Sequence, residues 1–442
     1  MSKKEGFTRR RFVAASAAAA TVAVIPRHVL GQDGKPSANN KLSIAGIGVG
    51  GMGSGDVRRV PGENIVAVCD VDAKRAEAAA KPFPAARIYR DFRELLATEK
   101  DLDAVMIATP DHNHAVVTLA ALELGKHVFC QKPLVHSVGE ALLVAKAAKE
   151  AKVATQMGNQ GQAGEGARRI CEYIWAGAIG DVREIHSWSN RQPDISPRGI
   201  PRPKETPPVP EHLDWNLWLG PAPDRPYHPC YHPFAWRGWW DFGTGVLGDI
   251  GCHNLSAAFK ALKLGWPESV EACSTHWNAP PEVKGETAPL ASIVSYRFAA
   301  EGKRPEILLR WYDGGMMPPL PKEVGERNIF VKDGTLIVGD EGMLLGDQLL
   351  PEAKARFFGK PPEVLPRSPG HYEEWVNAAK GGEPAGSNFV DHAAHLAAVV
   401  LMGNIAIRIQ EKLLWDGEKR QFKNSEAANR LLNPPYREGW SL

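Results

Sequence analysis

The sequence lacks the features of membrane-spanning, zinc-binding and disulfide-rich proteins. Beyond the first 31 residues, no uninterrupted apolar run approaches the ~20 residues that a membrane span needs, so we predict no stable span. The six cysteines form no C-x-x-C pair, so we expect no metal site and free, buried thiols rather than disulfides. They are Cys69, Cys130, Cys171, Cys230, Cys252 and Cys273.

The sequence also lacks an excess of charge of one sign. It contains 53 Lys and Arg against 51 Asp and Glu, a formal net charge of +2. Removing residues 1–31, which hold 6 Lys or Arg and 1 Glu, would lower the charge from +2 to −3. This balance argues against nucleic acid or an anionic membrane as a partner. The 442 residues exceed the ~250–300 at which single cores stop growing, so we expect two domains.

The amino-terminal 31 residues differ in composition from the rest of the chain. Arg9 and Arg10 precede an uncharged, Ala-rich stretch that runs to Val24. This layout resembles a twin-arginine signal, which carries folded proteins across the bacterial inner membrane. We predict a signal peptide over 1–31, a linker over 32–40, transport by the twin-arginine translocon and a periplasmic or otherwise exported protein. A basic amphipathic helix is the alternative, and no clear cleavage site is visible.

Residues 41–160 alternate short β-branched runs with helix-length segments. This alternation predicts a doubly wound Rossmann domain with a parallel sheet. Gly125 and Ser137 are expected to end one helix and cap the next. The predicted helices cover 115–124 and 138–151, and the predicted strands cover 42–45, 65–69, 104–108, 128–130 and 153–157.

Residues 161–442 have a different pattern, which predicts a second, α+β domain for substrate binding and oligomerisation. A proline-dense segment over 193–233 predicts an extended loop. The strand candidates predict one large, mostly antiparallel, open-faced sheet. They cover 182–188, 270–274, 293–298, 307–311, 329–331 and 336–338, and helices are predicted over 165–175, after Gly248, and over 392–410, the last one amphipathic.

A glycine-rich segment follows the first predicted strand and opens a helix. Bare glycines at such a turn let backbone N–H groups approach a pyrophosphate. Asp70 ends the second strand, where its carboxylate can bind the ribose hydroxyls of NAD and would repel the 2′-phosphate of NADP. Lys74 and Arg75 lie nearby and leave NADP as the less favoured choice. The predicted cofactor-binding residues are Gly46, Gly48, Gly51, Met52, Asp70, Thr109, Pro110, His114 and Gln131.

Three further motifs are the segments Thr109–His114 and Gly125–Pro133 and the glycine-rich segment Gly243–His253. With these motifs, nearly the whole chain beyond the signal resembles the Gfo/Idh/MocA oxidoreductases. The family is named in part for glucose-fructose oxidoreductase and inositol dehydrogenase. The resemblance implies hydride transfer between a nicotinamide cofactor and a sugar-like substrate. It also implies a homo-oligomer that forms through the open face of the second sheet.

Three residues have the chemistry that oxidation of an alcohol requires. Lys132 follows a parallel strand, at the edge where doubly wound sheets bind ligands. Asp249 and His253 are four residues apart, so a helix would place them on one face. We predict His253 as the base for the hydroxyl proton, Asp249 as its orienting group or a substrate contact, and Lys132 as a catalytic cation. The alternatives for the Asp249/His253 pair are helix stabilisation and metal ligation.

The chain departs from the family pattern at two positions. Gln131 stands where the family usually has Glu, so a charge beside the cofactor is absent. Ser256 stands where an acidic residue usually follows the histidine, which would remove an acceptor for a sugar hydroxyl. Substrate preference is therefore expected to differ from that of well-known members.

Aromatic side chains are concentrated before the catalytic segment. Most are expected to pin the loop to the domain, and one or two to line the substrate site. Trp239 and Trp240 are the candidates, with Arg237 as a donor to sugar hydroxyls or as an ordinary ion-pair partner. His112 and His114 have a second interpretation, as packing and capping residues at the start of a helix.

The combined pattern predicts an NAD(H)-dependent dehydrogenase acting on a sugar, polyol or glycoside. An exported enzyme would need to bind its cofactor tightly, because free nicotinamide nucleotide is not expected outside the cytoplasm. Two alternatives remain: a glycoside hydrolase or lyase that recycles bound NAD, and a catalytically silent sugar sensor or envelope structural protein that keeps the fold. Lys132 argues against the first, because family glycosidases lack that lysine.

Overall fold

The first sheet is parallel and forms the core of the amino-terminal part of the chain. A computed structural model describes residues 41–60, 62–191, 196–324 and 333–442. Its elements to residue 160 are β1 (Ser43–Ile47), α1 (Met52–Asp56), β2 (Asn64–Cys69), α2 (Ala73–Ala80), β3 (Arg87–Tyr89), α3 (Phe92–Thr98), β4 (Ala104–Ile107), α4 (Asp111–Glu123), β5 (His127–Cys130), α5 (Val138–Ala151) and β6 (Thr155–Met157). The strand order is β3-β2-β1-β4-β5-β6, with every pairing parallel. The predicted doubly wound domain is confirmed.

The start of one of these helices and the end of another are determined by capping residues that the sequence had indicated. Ser137 Oγ accepts a hydrogen bond from the Glu140 backbone N–H, and the Glu140 carboxylate accepts one from the Ser137 N–H. This reciprocal cap fixes the start of α5. Gly125 follows α4 with φ of +66°, a conformation that glycine adopts without steric cost.

The second sheet is mixed and mostly antiparallel. Its elements are α6 (Glu165–Trp175), β7 (Val182–Ser189), α7 (Trp215–Leu219), α8 (Gly245–Asn254), α9 (Ser256–Leu262), β8 (Ser269–Ser274), α10 (Pro281–Lys284), β9 (Ser292–Phe298), β10 (Ile307–Asp313), β11 (Asp333–Gly339), β12 (Met343–Leu345), β13 (Gln348–Leu350), α11 (Glu352–Phe358), α12 (His371–Ala379), α13 (Ala394–Ile409), β14 (Leu413–Asp416), β15 (Gln421–Phe422) and α14 (Glu426–Leu432). The order is β13-β12-β11-β7-β10-β9-β8-β14-β15, and only β7 and β10 pair in parallel among these described strands. The predicted α+β architecture is confirmed.

The helix predicted near the end of the chain is confirmed as α13, but the prediction that it is amphipathic is wrong. Nearly every residue of α13 is buried, because the helix packs against α5 and α8 and against β8 of the second sheet. The segment Phe389–Ile409 is long and apolar enough to cross a membrane by length and composition, but 78% of its apolar window is buried inside the protein. That burial is typical of a core helix.

The proline-dense segment contains more regular structure than the sequence predicts. Asp214 caps α7 by accepting a hydrogen bond from the Leu217 N–H, in an interval without proline. The predicted strand over 329–331, the signal peptide over 1–31 and the linker over 32–40 lie outside the described residues. Both sheets belong to one compact unit, Ser43–Leu442.

Candidate active site

A cavity of about 420 Å³ opens at the carboxyl ends of the parallel strands. Its wall includes Gly48 after β1, Asp70 after β2, Thr109 after β4 and Gln131 after β5, and it continues to α8. Doubly wound sheets bind ligands at this edge, because the loops there diverge and leave a crevice. Lys132, Asp249, His253 and Arg237 also line the cavity.

The glycine turn packs too closely for side chains at two of its positions. Gly48 has φ of +77°, and a Cβ there would lie 2.5 Å from the Thr109 backbone nitrogen. A Cβ on Gly46 would lie 2.6 Å from a Val57 methyl, and Gly46 does not line the cavity. Gly46 therefore allows close packing beneath the turn, whereas Gly48, Gly51 and Met52 lie in the cavity wall.

Asp70 connects the glycine turn to the end of β2. Its Oδ2 accepts a hydrogen bond from the Gly50 N–H at 2.9 Å, and its Oδ1 accepts one from the Asp72 N–H at 3.0 Å. Burial raises the pKa of Asp70 to about 6, although both backbone donors act in the opposite direction. The carboxylate is thus held at the cavity edge next to the turn.

The cavity has features that fit a dinucleotide. The Thr109 Oγ1 is buried and has no hydrogen-bond partner among the described residues, although Thr109 lines the cavity. A buried hydroxyl without a partner is costly unless a ligand supplies one. Phe92 and Trp440 line the same cavity with Asp70, and their ring centroids lie 6.4 Å apart.

His114 faces the protein interior. Its Nδ1 lies 2.6 Å from the Pro133 carbonyl oxygen and its Nε2 lies 2.9 Å from the Thr109 carbonyl oxygen. Burial lowers the pKa of His114 to about 4. The predicted cofactor contact is therefore not formed by this ring, which instead positions two cavity-lining segments.

Lys132 and Asp249 form an ion pair in the cavity wall. The Lys132 ammonium contacts Asp249 Oδ1 and also donates to the Asp249 backbone oxygen at 3.2 Å. Arg237 Nε lies 3.6 Å from the same Oδ1. Burial opposes ionisation of Asp249, but the charges of Lys132 and Arg237 outweigh it and lower the pKa of the carboxyl to about 2. Asp249 is therefore ionised and fixes both cations.

His253 lies one turn after Asp249 on α8 and lines the same cavity. Burial, assisted by the charge of Lys132, lowers the pKa of His253 to about 3. The imidazole is therefore neutral near pH 7, with a lone pair available for a proton. The predicted group of Lys132, Asp249 and His253 is brought together in one wall.

Asp111 is a cavity residue that the sequence analysis did not assign. Its Oδ2 accepts a hydrogen bond from Thr244 Oγ1 at 2.9 Å. Burial raises the pKa of Asp111 to about 7, partly offset by Arg237 and reinforced by Asp249. Its position in the Thr109–His114 motif, directly after a strand, was the signal that could have identified it.

Trp239 and Trp240 pack in the core and not at the cavity. Trp239 is fully buried, and its indole N–H donates to the Cys230 oxygen at 3.2 Å. Trp240 belongs to the main core, so the prediction of both as substrate contacts is not supported. Phe234 and Trp236 line the cavity instead, and the Arg237 guanidinium stacks on both rings at 4.5 and 4.3 Å.

Gln131 and Ser256, the two departures from the family pattern, form hydrogen bonds with different parts of the structure. The Gln131 amide donates to Asp56 Oδ2 at 2.8 Å, and the Tyr372 hydroxyl donates to Asp56 Oδ1 at 2.6 Å. A carboxylate therefore lies beside position 131, supplied by α1. Ser256 does not line the cavity. Its hydroxyl donates to Gln162 Oε1 at 2.7 Å in a neighbouring polar cluster.

The described residues contain no group of three or more His, Cys, Asp or Glu side chains that could hold a metal ion. All six cysteines lie in described segments and are free; four of them are buried.

Two family models match the chain. The one described as oxidoreductase family, NAD-binding Rossmann fold, of the Gfo/Idh/MocA group, matches residues 42–159. The second, described as oxidoreductase family, C-terminal alpha/beta domain, matches residues 202–265 and 364–442. Together they cover more than half of the sequence, and the matched segments contain Lys132, Asp249 and His253.

The chain is also similar to individual proteins. It is 36% identical over 152 residues to an inositol 2-dehydrogenase of Salmonella paratyphi B, a match covering 33% of this chain and 44% of the relative. The chain therefore matches less than half of that relative's length. The fold is similar to the dehydrogenase WlbA of Bordetella pertussis, solved with NADH and UDP-GlcNAcA, with a TM-score of 0.59, 16% identity and coverage of 85% of this chain and 99% of that one. A levoglucosan dehydrogenase with NADH gives a TM-score of 0.52 and 20% identity, with coverage of 83% and 96%.

Proposed function

Because the chain belongs to the Gfo/Idh/MocA oxidoreductase family, we propose that it is an NAD-dependent dehydrogenase that oxidises a hydroxyl-bearing carbon of a sugar or polyol. One observation carries the proposal: a neutral imidazole and a lysine–carboxylate pair share a cavity with a glycine turn at the sheet edge. The names of the inositol and levoglucosan dehydrogenases support a polyhydroxylated substrate.

The dinucleotide would be held by the glycine turn, Asp70 and Thr109. When bound, NAD supplies the acceptor for the hydride that leaves the substrate carbon. Asp70 favours NAD over NADP, because its carboxylate would repel a 2′-phosphate. The Thr109 hydroxyl, which has no hydrogen-bond partner within the described ranges, is available to a polar group of the cofactor.

Residues of the cavity wall accept the proton and stabilise the developing negative charge. His253 would accept the hydroxyl proton on a ring nitrogen as the substrate carbon is oxidised to a carbonyl. Lys132 stabilises the negative charge that grows on the oxygen. Asp249 holds Lys132 in place and is a positioning residue in this scheme.

Export would require the enzyme to retain its cofactor. We include tight NAD binding in the proposal, motivated by Arg9 and Arg10 in the amino-terminal sequence. Phe92 and Trp440 line the end of the cavity nearest Asp91, and the Arg93 guanidinium lies 4.8 Å from the centre of the Trp440 ring. These side chains can cover a bound nucleotide and slow its loss.

Replacement of Lys132 tests the proposed chemistry. Lys132→Ala is expected to lower kcat/KM for the best substrate by about 10²–10³-fold, because the stabilising cation is lost. The measurement is the rate of NADH formation, with bound NAD determined in parallel to separate chemistry from cofactor loss. Lys146→Ala, at an exposed site on α5, is the control and should retain full activity. Unchanged turnover in Lys132→Ala would refute the assigned role.

A further inference from the structure

Two polar side chains at the substrate end of the cavity are not used by the proposed hydride transfer. Arg191 and Ser196 both line the cavity. Ser196 is 6% exposed, and its hydroxyl has no hydrogen-bond partner among the described residues. The Arg191 Nε is also buried without a partner in the described part of the chain, although its Nη2 lies 3.3 Å from Asp333 Oδ2. Buried donors without partners are costly unless a ligand satisfies them.

Arg191 and Ser196 are held next to the part of the cavity wall that contains the proposed catalytic residues. The buried Arg198 donates to the Arg191 backbone oxygen at 2.8 Å. The segment after Ser196 packs against Gly238, where an added Cβ would meet the Pro197 oxygen, so Ser196 lies on the segment that borders Arg237. The charge of Arg191 also acts on His253, whose pKa it helps to lower.

The charges of the described residues at this end of the cavity do not cancel. Lys132, Arg191 and Arg237 are cationic, whereas Asp249 and Asp333 supply two carboxylates. A further carboxyl, Asp111, has a pKa of about 7 and is therefore only partly ionised near neutral pH. Among the described residues named here, up to one positive charge is left over, which suits a substrate with a single negative charge better than a phosphate dianion.

We propose that the sugar substrate carries a carboxylate and that Arg191, Ser196 and Arg237 bind it. Guanidinium groups pair with carboxylates through planar, charge-assisted hydrogen bonds, and the Ser196 hydroxyl adds a neutral donor. The guanidinium of Arg237 lies against the rings of Phe234 and Trp236, and these contacts limit the orientations that it can adopt. The inference rests on the proposed function, since it names the substrate class of the same site.

Binding measured without turnover tests this carboxylate site. Calorimetry on the purified, NADH-loaded full-length enzyme, which cannot oxidise a sugar, compares glucuronate with glucose and galacturonate with galactose. We expect at least one uronate to bind about 10-fold more tightly than its neutral partner, the effect of about one charge-assisted hydrogen bond. Glucose 6-phosphate is the third arm and should bind more weakly than that uronate.

Two substitutions connect the preference to the named side chains. Arg191→Gln should reduce the ratio of uronate to neutral-sugar affinity about 10-fold. Ser196→Ala should reduce it about 3-fold without lowering stability, because the removed hydroxyl has no partner among the described residues. Arg183→Gln is the matched control, an exposed arginine at the start of the strand that leads to Arg191. It should keep the wild-type ratio.

The outcomes separate this inference from the proposed function. Equal binding of each uronate and its neutral partner, tighter binding of the phosphate, or an unchanged ratio in Arg191→Gln would overturn the carboxylate site. NADH formation from neutral sugars without a uronate preference would keep the dehydrogenase and reject the site. Arg191-dependent uronate binding without any NADH formation would keep the site and reject the dehydrogenase.

Discussion

At the scale of single residues, the site combines groups whose surroundings change their protonation in opposite directions. Two carboxyls on neighbouring elements differ most: Asp249 is kept ionised by Lys132 and Arg237, whereas burial keeps Asp111 largely protonated up to neutral pH. His253 is kept neutral by the same burial. A cation, an anion and a neutral base can therefore coexist in one small cavity.

Asp111 gives a prediction about stability and pH. Its pKa is about 7 in the folded protein and near its ordinary value of about 4 when unfolded. The folded state therefore binds the proton more tightly, so the cost of ionising Asp111 is absent below about pH 4 and grows until about pH 7. Asp111→Asn should raise the Tm by about 3 °C at about pH 8 and change it little at about pH 4.

Thermal unfolding at both pH values measures this effect. The control is Asp101→Asn, an exposed carboxyl, which should not show the difference. A Tm of Asp111→Asn that falls relative to wild type as the pH rises would contradict the assignment.

At the scale of elements, α1 and the end of β5 are linked through a buried carboxylate. Asp56 is 1% exposed, and its two oxygens accept hydrogen bonds from Gln131 and Tyr372. Arg59 lies 3.7 Å from the same carboxylate and supplies a partly exposed countercharge. An amide at position 131 is compatible with this carboxylate because it donates a hydrogen bond and carries no charge.

Gln131→Glu is therefore expected to be destabilising in this protein. Two carboxylates would face each other in a buried position, with a cost of about 1–3 kcal/mol in the free energy of unfolding at about pH 8. Adding Asp56→Asn to Gln131→Glu should recover much of the loss, because one negative charge is removed and a donor returns. Urea unfolding of the two single variants and the double variant measures the coupling. Additive effects of the two substitutions would contradict direct contact.

The sequence predicted the elements that are determined by residues close together in the chain. Ser137 and Glu140 define the start of α5, and the alternation of apolar runs predicted the parallel strands. The short strands β12 to β15 have two to four residues each and leave no clear periodicity. The nature of α13 depended on tertiary packing on several sides, which the sequence periodicity did not show.

The candidate site, like the fold, could be predicted from the sequence only in part. The family motifs identified Lys132, Asp249 and His253, which line one cavity. Arg191 and Ser196 were missed because they follow a strand of the second sheet and only its fold brings them to the cavity. Trp239 was placed at the substrate site on composition alone, whereas its burial is decided by neighbouring aromatic residues.

At the scale of the whole molecule, the carboxyl-terminal segment returns to the nucleotide end of the cavity. Arg437 donates to the Gly220 and Asn216 oxygens and anchors this segment. The Trp440 ring then lies next to Phe92 and Arg93, the first two residues of α3. The last residues of the described chain thus contribute to the cavity that begins at the first strand.

Trp440 is expected to contribute to cofactor retention. Trp440→Ala should raise the Kd for NAD about 10-fold, the loss of roughly one aromatic stacking contact. Calorimetric titration of the NAD-stripped enzyme measures the change. Trp277→Ala removes a tryptophan that is 77% exposed and outside the cavity, and it should bind NAD as the wild type does. An unchanged Kd for Trp440→Ala would remove this residue from the binding site.

The central claim is that the cavity transfers a hydride between NAD and a sugar-like substrate. The most direct measurement is mass analysis of the purified protein for bound nucleotide, followed by absorbance readings of NADH as sugars, polyols, uronates and glycosides are added. The account predicts bound NAD and a rise in NADH with at least one hydroxylated substrate, lost in Lys132→Ala. Protein that binds no nicotinamide nucleotide, or that releases products from glycosides while NADH never accumulates, would contradict it.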